Sequence, residues 1–297
     1  MLRKQNTLQS SVEISGRGYW TGQRVRVRIE PADAGTGIRM VRDDLPGCPE
    51  CPALIEFQQE AAMRTNLQAG AARFEMVEHV LAALAGMRVD NARVLCDAME
   101  MPGMDGSSLE LTQAIAAVGT RPQSRYKETL RIRHEYRLAH RGSWLFVSPA
   151  ETEESHYEYQ MSFDQPGGIE PQVFGVNLDS EKFLHDVAGA RTFITADQAA
   201  AIRAKGLAGH VTNADLLVLG DDGPIDNVLR FPNECSRHKT LDLIGDLALA
   251  GVDLIGRVTS FRGGHALNGR MARRLAILAR RQSMLYSQDR RVIRSAA

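Results

Sequence analysis

The predicted fold is decided by two stretches that resemble each other, Leu84-Ala-Gly-Met-Arg-Val-Asp-Asn-Ala-Arg-Val94 and Leu249-Ala-Gly-Val-Asp-Leu-Ile-Gly-Arg-Val258. In both, an apolar helical pattern ends in Ala-Gly, where the glycine suits a left-handed helix end, and a strand pattern follows directly. One such unit in each half of the chain indicates an internal duplication. We therefore predict an α+β fold of two similar domains that face a shared site.

The boundary between these domains is predicted at Gly119–Ser124, where a glycine and Pro122 favour a linker. The two domains then comprise residues 1–122 and 125–297. Before the boundary, Ser107-Ser-Leu-Glu110 has the spacing of a capping box, which predicts a helix over 109–118. Further helices are predicted over 75–85, 180–188, 196–205, 234–250 and 267–285, with strands between them.

The composition is that of an ordinary globular protein, with 43% hydrophobic and 24% charged residues. The 36 basic and 36 acidic side chains cancel, which argues against a nucleic-acid partner. The N-terminus lacks the apolar core of a signal peptide, and no run reaches the roughly 18 apolar residues of a membrane span. We expect a soluble, cytoplasmic monomer without a membrane span.

The cysteines do not form a recognisable metal site. Cys48-Pro-Glu-Cys51 has the spacing of half a zinc knuckle, but a second such pair is absent from the sequence. Prolines at 46, 49 and 52 favour a surface loop around this pair. Cys96 and Cys235 are expected to pack as small apolar side chains.

The most informative motif is His238-Lys-Thr-Leu-Asp242-Leu-Ile-Gly-Asp246. On a helix, residues 238, 242 and 246 share one face, so His238 and Asp242 can converge on one metal ion, as the histidines of HExxH do. A solvated face with an ion pair four residues apart explains the same spacing. The motif alone therefore leaves both interpretations open.

Glu78 and His79 interrupt an otherwise apolar helix pattern. A charged pair there costs free energy unless it is paired or ligates a metal, although a hydrogen-bonded histidine at a helix edge also fits. If His79 joins His238 and Asp242, three protein ligands leave one position open for water, as in catalytic zinc sites. Zinc lowers the pKa of such a water to about 7, and Glu78 could accept its proton.

His265 follows two glycines that favour a tight turn after a strand. At such a turn it could protonate a departing amine, with Asp246 holding the imidazole charged. A histidine at a helix start without a catalytic role is the alternative.

Six motifs occur in one order along the chain: Val77-Glu-His79, Met104-Asp-Gly-Ser107, Ala190-Arg-Thr-Phe193, Leu229-Arg-Phe231, Arg237 to Asp246, and Gly264-His-Ala-Leu-Asn268. Together they resemble the UDP-3-O-acyl-N-acetylglucosamine deacetylase family of lipid A biosynthesis. The resemblance extends from about Thr7 to Leu285.

The resemblance implies two β-α-α-β two-layer sandwich domains with the active site between them. Each domain would carry a small insert, near 40–72 in the first and near 193–222 in the second. It also implies a zinc ion, with iron(II) as the alternative metal. The metal ligands would be His79, His238 and Asp242.

The family's other site residues can be carried over to matching positions of this sequence. Glu78 matches the general base and His265 the general acid, while the hydroxyl of Thr192 matches the group that holds the carbonyl oxygen. Lys239 and Asp246 match charged residues that orient the site. Arg262 and Phe193 match substrate-binding residues, and Asp105 matches a polar residue behind the site.

Two departures from the family pattern bear on the acyl chain. Trp20 stands where the family usually has a histidine, and Gly209–Ala214 differs from the usual Gly-Gly-Ser of the second insert. Neither change touches the implied catalytic set.

The implied reaction is hydrolysis of the 2-acetamido group of UDP-3-O-acyl-N-acetylglucosamine, which releases acetate. The altered second insert leaves open the same chemistry on a different acylated or unacylated N-acetyl sugar. A ligand-binding relative without activity is a third hypothesis, although such a protein would have no need of Glu78 and His265.

Overall fold

The protein is described here by a computed structural model that covers residues 3–162 and 169–295. Runs of mostly antiparallel strands are separated by a few helices, which agrees with the predicted α+β class. The helices are α1 (Glu78–Gly86), α2 (Leu109–Val118), α3 (Ser180–Lys182), α4 (Ala196–Ala204), α5 (Glu234–Ala248) and α6 (His265–Ser295).

The strands of the first half are β1 (Lys4–Leu8), β2 (Val12–Arg17), β3 (Arg24–Pro31), β4 (Ile38–Arg42), β5 (Glu50–Pro52), β6 (Gln58–Gln59), β7 (Asn66–Ala69), β8 (Ala72–Phe74), β9 (Ala92–Cys96) and β10 (Thr120–Tyr126). Those of the second half are β11 (Thr129–Arg131), β12 (Tyr136–His140), β13 (Ser143–Ser148), β14 (Ser155–Met161), β15 (Gln172–Asn177), β16 (Phe193–Thr195), β17 (Leu217–Gly220), β18 (Gly223–Pro224) and β19 (Asp253–Phe261).

The two main sheets share one order of strands. In the first, β2-β3-β9-β4-β5 lie side by side, with β4 parallel to β9 and the other pairs antiparallel. In the second, β12-β13-β19-β14-β15 repeat that order and those directions, and β11 adds a short parallel pairing to the start of β19. In each sheet the central strand follows directly on a helix, as the two similar stretches of sequence predict.

Strand β3 shows why these segments pair as they do. Val25, Val27 and Ile29 are fully buried, and arginines alternate with them. Because successive side chains of a strand point to opposite faces, the apolar face covers the core and the basic face meets solvent.

The helices lie against these sheets and meet one another at the centre of the molecule. Helix α5 packs on β14 and β15, α6 packs on β12 and β13, and α1 packs on α5. The contact between α1 and α5 depends on Gly245, since a Cβ there would lie 2.1 Å from the Glu78 carbonyl oxygen. This close approach places the start of α1 opposite the middle of α5.

A small three-stranded sheet accompanies each main sheet. The first small sheet is β6-β7-β8, and the second is β16-β17-β18 with α4 beside it. Strands β4 and β5 reach into the range predicted as the first insert but belong to the main sheet, and the first small sheet begins at Gln58.

Several local predictions were wrong. The predicted linker Gly119–Ser124 lies mostly in β10, which pairs with β1. Ser108 caps α2 without a side-chain hydrogen bond, so the capping box is absent. Gly86 remains within α1, and Arg88 takes the left-handed conformation with φ 55°. Cys51 lies in β5 and is buried rather than in a surface loop.

Among the described residues, none of the helices combines the length and apolar character needed to cross a membrane.

Candidate metal centre and active site

Three side chains at the contact of α1 and α5 could hold a metal ion. One nitrogen each of His79 and His238 and one oxygen of Asp242 all lie within 4.8 Å of one another. Asp242 Oδ1 is 3.6 Å from His79 Nε2 and 3.5 Å from His238 Nε2. The helix spacing accounts for the second distance, since residues four apart share one face.

The two carboxylate oxygens of Asp242 differ in their partners. Oδ2 accepts a hydrogen bond of 2.6 Å from Lys239 Nζ, whereas Oδ1 is buried and has no hydrogen-bond partner among the described residues. Burial would raise the pKa of Asp242, but the Lys239 ammonium holds it well below its usual range. A charged, unpaired oxygen facing two imidazole nitrogens fits the donor set of a divalent cation.

His238 is held as a neutral ligand. Its Nδ1 lies 3.1 Å from the carbonyl oxygen of Ala190, an acceptor, so the proton is on Nδ1 and Nε2 is free to bind a metal. Burial lowers the pKa of His238 to about 3, which keeps the ring uncharged at neutral pH. Metal ions bind this neutral form of imidazole.

Glu78 begins α1 beside His79 and is buried. Its Oε2 accepts a hydrogen bond of 2.9 Å from the backbone N–H of Thr65. Burial raises the pKa of Glu78, and the electrostatic attraction of His265 and His79 offsets part of that rise. A carboxylate with a raised pKa is suited to accept a proton near neutral pH.

His265 begins α6 and pairs with Asp246 of α5. Its Nδ1 lies 2.9 Å from Asp246 Oδ2, and its Nε2 lies 3.9 Å from Asp242 Oδ2. Burial alone would lower the pKa of His265, but the charge and hydrogen bond of Asp246 outweigh it and raise the pKa to about 9. The imidazole is therefore in its positively charged form, with a proton on both nitrogens, at neutral pH.

Thr192 and Phe193 approach His238 from the second small sheet. Thr192 Oγ1 lies 3.3 Å from His238 Nε2 and donates to the carbonyl oxygen of Gly106 at 3.0 Å. The Thr192 backbone N–H donates to the same carbonyl at 2.7 Å. The Phe193 ring meets the His238 ring edge to face, with centroids 6.2 Å apart.

A cavity of about 620 Å³ opens beside these residues. One part is polar and contains the catalytic candidates, including Glu78 and His265. The other part is apolar and is bounded largely by the second small sheet and α4, with Ile194, Ala199 and Val218 on its walls. The cavity therefore joins the catalytic candidates to a space suited to an apolar chain.

Both departures from the family pattern border this cavity. Trp20 lines it, and the Arg64 guanidinium lies 4.9 Å from the centre of the Trp20 ring. Val211 and Thr212 of the altered second insert line it too. His210 Nε2 of that insert lies 2.8 Å from the carbonyl oxygen of Gly18. This contact connects the insert to the loop between β2 and β3.

Three predicted site residues do not line the cavity: Asp105, Arg262, and Asp246, which is buried behind His265. Asp105 accepts hydrogen bonds from the N–H and the hydroxyl of Ser107 and forms an ion pair with Arg230. Arg262 follows β19, where its backbone N–H donates to Gln160 and its carbonyl accepts from Ser143. The roles predicted for Asp105 and Arg262 stay predictions.

Two polar residues beside the catalytic candidates were not assigned from sequence. Thr65 Oγ1 donates to Asp246 Oδ1 at 2.5 Å, and Asn268 Nδ2 donates to Asp246 Oδ2 at 2.9 Å. Asn268 lies in the recognised motif that contains His265, three residues along one helix, so helical spacing could have identified it. Thr65 lies in an irregular stretch before β7, where local pattern carries no such signal.

Comparison with known proteins matches residues 5–277 to the family described as UDP-3-O-acyl N-acetylglycosamine deacetylase. A protein of Trichormus variabilis named UDP-3-O-acyl-N-acetylglucosamine deacetylase is 38% identical over 281 residues, which is 93% of this chain and 99% of the relative. A protein of the same name from Myxococcus xanthus is 35% identical, over 91% of this chain and 86% of the relative. Another from Brucella ovis is 36% identical, over 91% of this chain and 94% of the relative.

Proposed function

This chain belongs to the UDP-3-O-acyl-N-acetylglycosamine deacetylase family, and we propose that it removes the acetyl group from the 2-amino group of UDP-3-O-acyl-N-acetylglucosamine in lipid A biosynthesis. It is therefore a hydrolase. The observation that carries the mechanism is the unpaired, buried Oδ1 of Asp242 facing His79 and His238.

We infer that these three residues hold a zinc ion. Two imidazoles and a carboxylate, with a fourth position open to water, are the ligands of catalytic zinc, and iron(II) is the alternative metal. A divalent cation bound there would supply Lewis acidity and lower the pKa of a bound water. Lys239 balances the charge of Asp242 from the side away from the two histidines.

The remaining residues provide proton transfer and charge stabilisation. Glu78 accepts a proton from the water, whose oxygen attacks the acetamide carbonyl carbon. The Thr192 hydroxyl, which donates to the Gly106 carbonyl in the free protein, turns to donate to the oxygen on which negative charge develops. His265, kept protonated by Asp246, delivers a proton to the nitrogen as the C–N bond breaks, so that acetate and a free amine leave.

The rest of the substrate is assigned to the cavity. Its apolar part would hold the 3-O-acyl chain, with Phe193 at the junction of the apolar and catalytic parts. Arg262 is proposed to face the diphosphate, and Asp105 to support the loop whose Gly106 carbonyl holds Thr192.

We further infer two sandwich domains, residues 1–122 and 125–297, with the active site between them. The strand order shared by the two main sheets supports this division. The cytoplasmic location and the monomeric state stay predictions.

The test is an assay of acetate release from UDP-3-O-acyl-N-acetylglucosamine by the purified chain, with its metal content measured by mass spectrometry. The expected result is about one zinc per chain and turnover that a chelator abolishes. Equal turnover of unacylated UDP-N-acetylglucosamine would favour the alternative substrate. Bound zinc without hydrolysis of either sugar would favour a ligand-binding role and overturn the proposal.

A further inference from the structure

Thr65 is hydrogen-bonded to the proposed base, Glu78, and to Asp246, the carboxylate that pairs with the proposed acid, His265. Its backbone N–H donates to Glu78 Oε2 at 2.9 Å, and its hydroxyl donates to Asp246 Oδ1 at 2.5 Å. Its carbonyl oxygen accepts from the N–H of Val77, the residue before Glu78. All three polar groups of this residue, which is 1% exposed, are therefore directed at the catalytic centre.

The hydroxyl of Thr65 determines how Asp246 meets His265. Asp246 has two oxygens, and Thr65 occupies Oδ1 while His265 and Asn268 share Oδ2. With both oxygens bonded, the carboxylate plane is fixed. The ring of His265, whose Nδ1 lies 2.9 Å from Oδ2, is held in one orientation as a result.

Thr65 also links parts of the chain that are far apart in sequence. Glu78 begins α1, Asp246 lies on α5, and Thr65 precedes β7 at a separation of 181 residues from Asp246. A movement of this one residue would displace the base and the acid relative to each other. Proton transfer at both steps depends on that geometry to a fraction of an ångström.

We propose that Thr65 is a positioning residue for the deacetylation described above: it sets the orientation of Glu78 through its backbone N–H and that of His265 through its hydroxyl and Asp246. This inference rests on the proposed function. It assigns Thr65 no contact with substrate or metal, so the loss of its hydroxyl should slow the reaction and leave substrate binding intact.

The test compares Thr65→Val, which keeps the shape and removes the hydroxyl, with Thr65→Ser, which keeps the hydroxyl. The matched control is Thr112→Val, because Thr112 is also fully buried but donates its hydroxyl to the Ser108 carbonyl on α2. For Thr65→Val, we expect kcat to fall about 10- to 100-fold, the usual effect of removing such a supporting hydrogen bond, with KM within about twofold. Thr65→Ser and Thr112→Val should keep most of the wild-type kcat.

Metal content and thermal unfolding of each variant separate positioning from loss of structure. Wild-type kcat in Thr65→Val would overturn the inference, as would equal losses of kcat in Thr65→Ser and Thr65→Val, because the methyl group would then be responsible. A rise in KM without a fall in kcat would also overturn it. If Thr65→Val does not fold, Thr65→Ala measured below its unfolding temperature must meet the same kcat and KM criteria. An inactive wild-type protein would instead contradict the proposed function itself.

Discussion

His238 Nε2 lies 3.5 Å from Asp242 Oδ1, one turn along the same helix, and that oxygen has no hydrogen-bond partner among the described residues. A buried carboxylate oxygen without a hydrogen-bond partner is costly, so a bound cation should stabilise the folded protein as well as support catalysis. Chelation should abolish activity and lower the thermal unfolding temperature, and added zinc should restore both. Unchanged activity after complete metal removal, measured by mass spectrometry, would contradict a metal-dependent mechanism.

The ligand set itself is tested by Asp242→Asn. This change keeps the volume of the side chain but removes the negative charge that both Lys239 and a metal would meet. We expect metal content to fall by at least about tenfold under a competing chelator, because a carboxylate is a far better ligand than an amide. Asp197→Asn, on the exposed face of α4, is the control and should bind metal as the wild type does.

Glu78→Ala and His265→Ala should keep the metal and lose most activity. Neither residue belongs to the three-residue ligand group, and each is assigned a proton-transfer step worth roughly 10²- to 10⁴-fold in rate. The measurement is kcat together with metal content for each variant. Full activity in either variant would remove that residue from the mechanism.

Helix geometry predicted one part of this site. His238, Asp242 and Asp246 fall on one face of α5 because they are four residues apart, and that relationship is visible in the sequence. The partners of these residues come from distant segments. The Ala190 carbonyl holds His238, and the Thr65 hydroxyl holds Asp246 across 181 residues, so no local pattern could indicate them.

The fold shows the same division between local and long-range information. Alternating valines and arginines predicted β3, and the similar stretches predicted a strand directly after a helix in each half of the chain. The segment Gly119–Ser124 was misassigned because its glycine and proline favour a loop locally. Pairing of β10 with β1, about a hundred residues away in sequence, outweighs that preference.

Activity plotted against pH should fall on both the acid side and the basic side of an optimum. Below the raised pKa of Glu78 the carboxylate is protonated and cannot accept a proton from water, so activity falls on the acid side. Above the pKa of His265, about 9, the imidazole loses the proton it must donate, so activity falls on the basic side. A profile of kcat against pH measures both limbs. A rate that stays constant from pH 8 to well above 9 would contradict the acid role of His265.

Asp246→Asn tests the cause of the basic limb. The Asp246 carboxylate raises the pKa of His265 against the effect of burial, so its neutral replacement should lower that pKa. The basic limb should move to lower pH, and kcat at pH 8 should fall more than kcat at pH 6.5. A basic limb at the wild-type position would show that another group controls it.

The apolar part of the cavity should set the length of the acyl chain. Ala199 of α4 is buried and lines this part, while the next residue, Ala200, is exposed. Ala199→Leu adds three carbons to the wall and would displace part of a long acyl chain from its apolar surroundings. Each methylene returned to water costs about 0.8 kcal/mol, so loss of two raises KM roughly tenfold. For Ala199→Leu we expect this rise in KM with a long 3-O-acyl substrate and a smaller rise with a short-chain analogue. Ala200→Leu, the control, should leave KM for both substrates unchanged. Equal effects of Ala199→Leu on both substrates would place the acyl chain elsewhere.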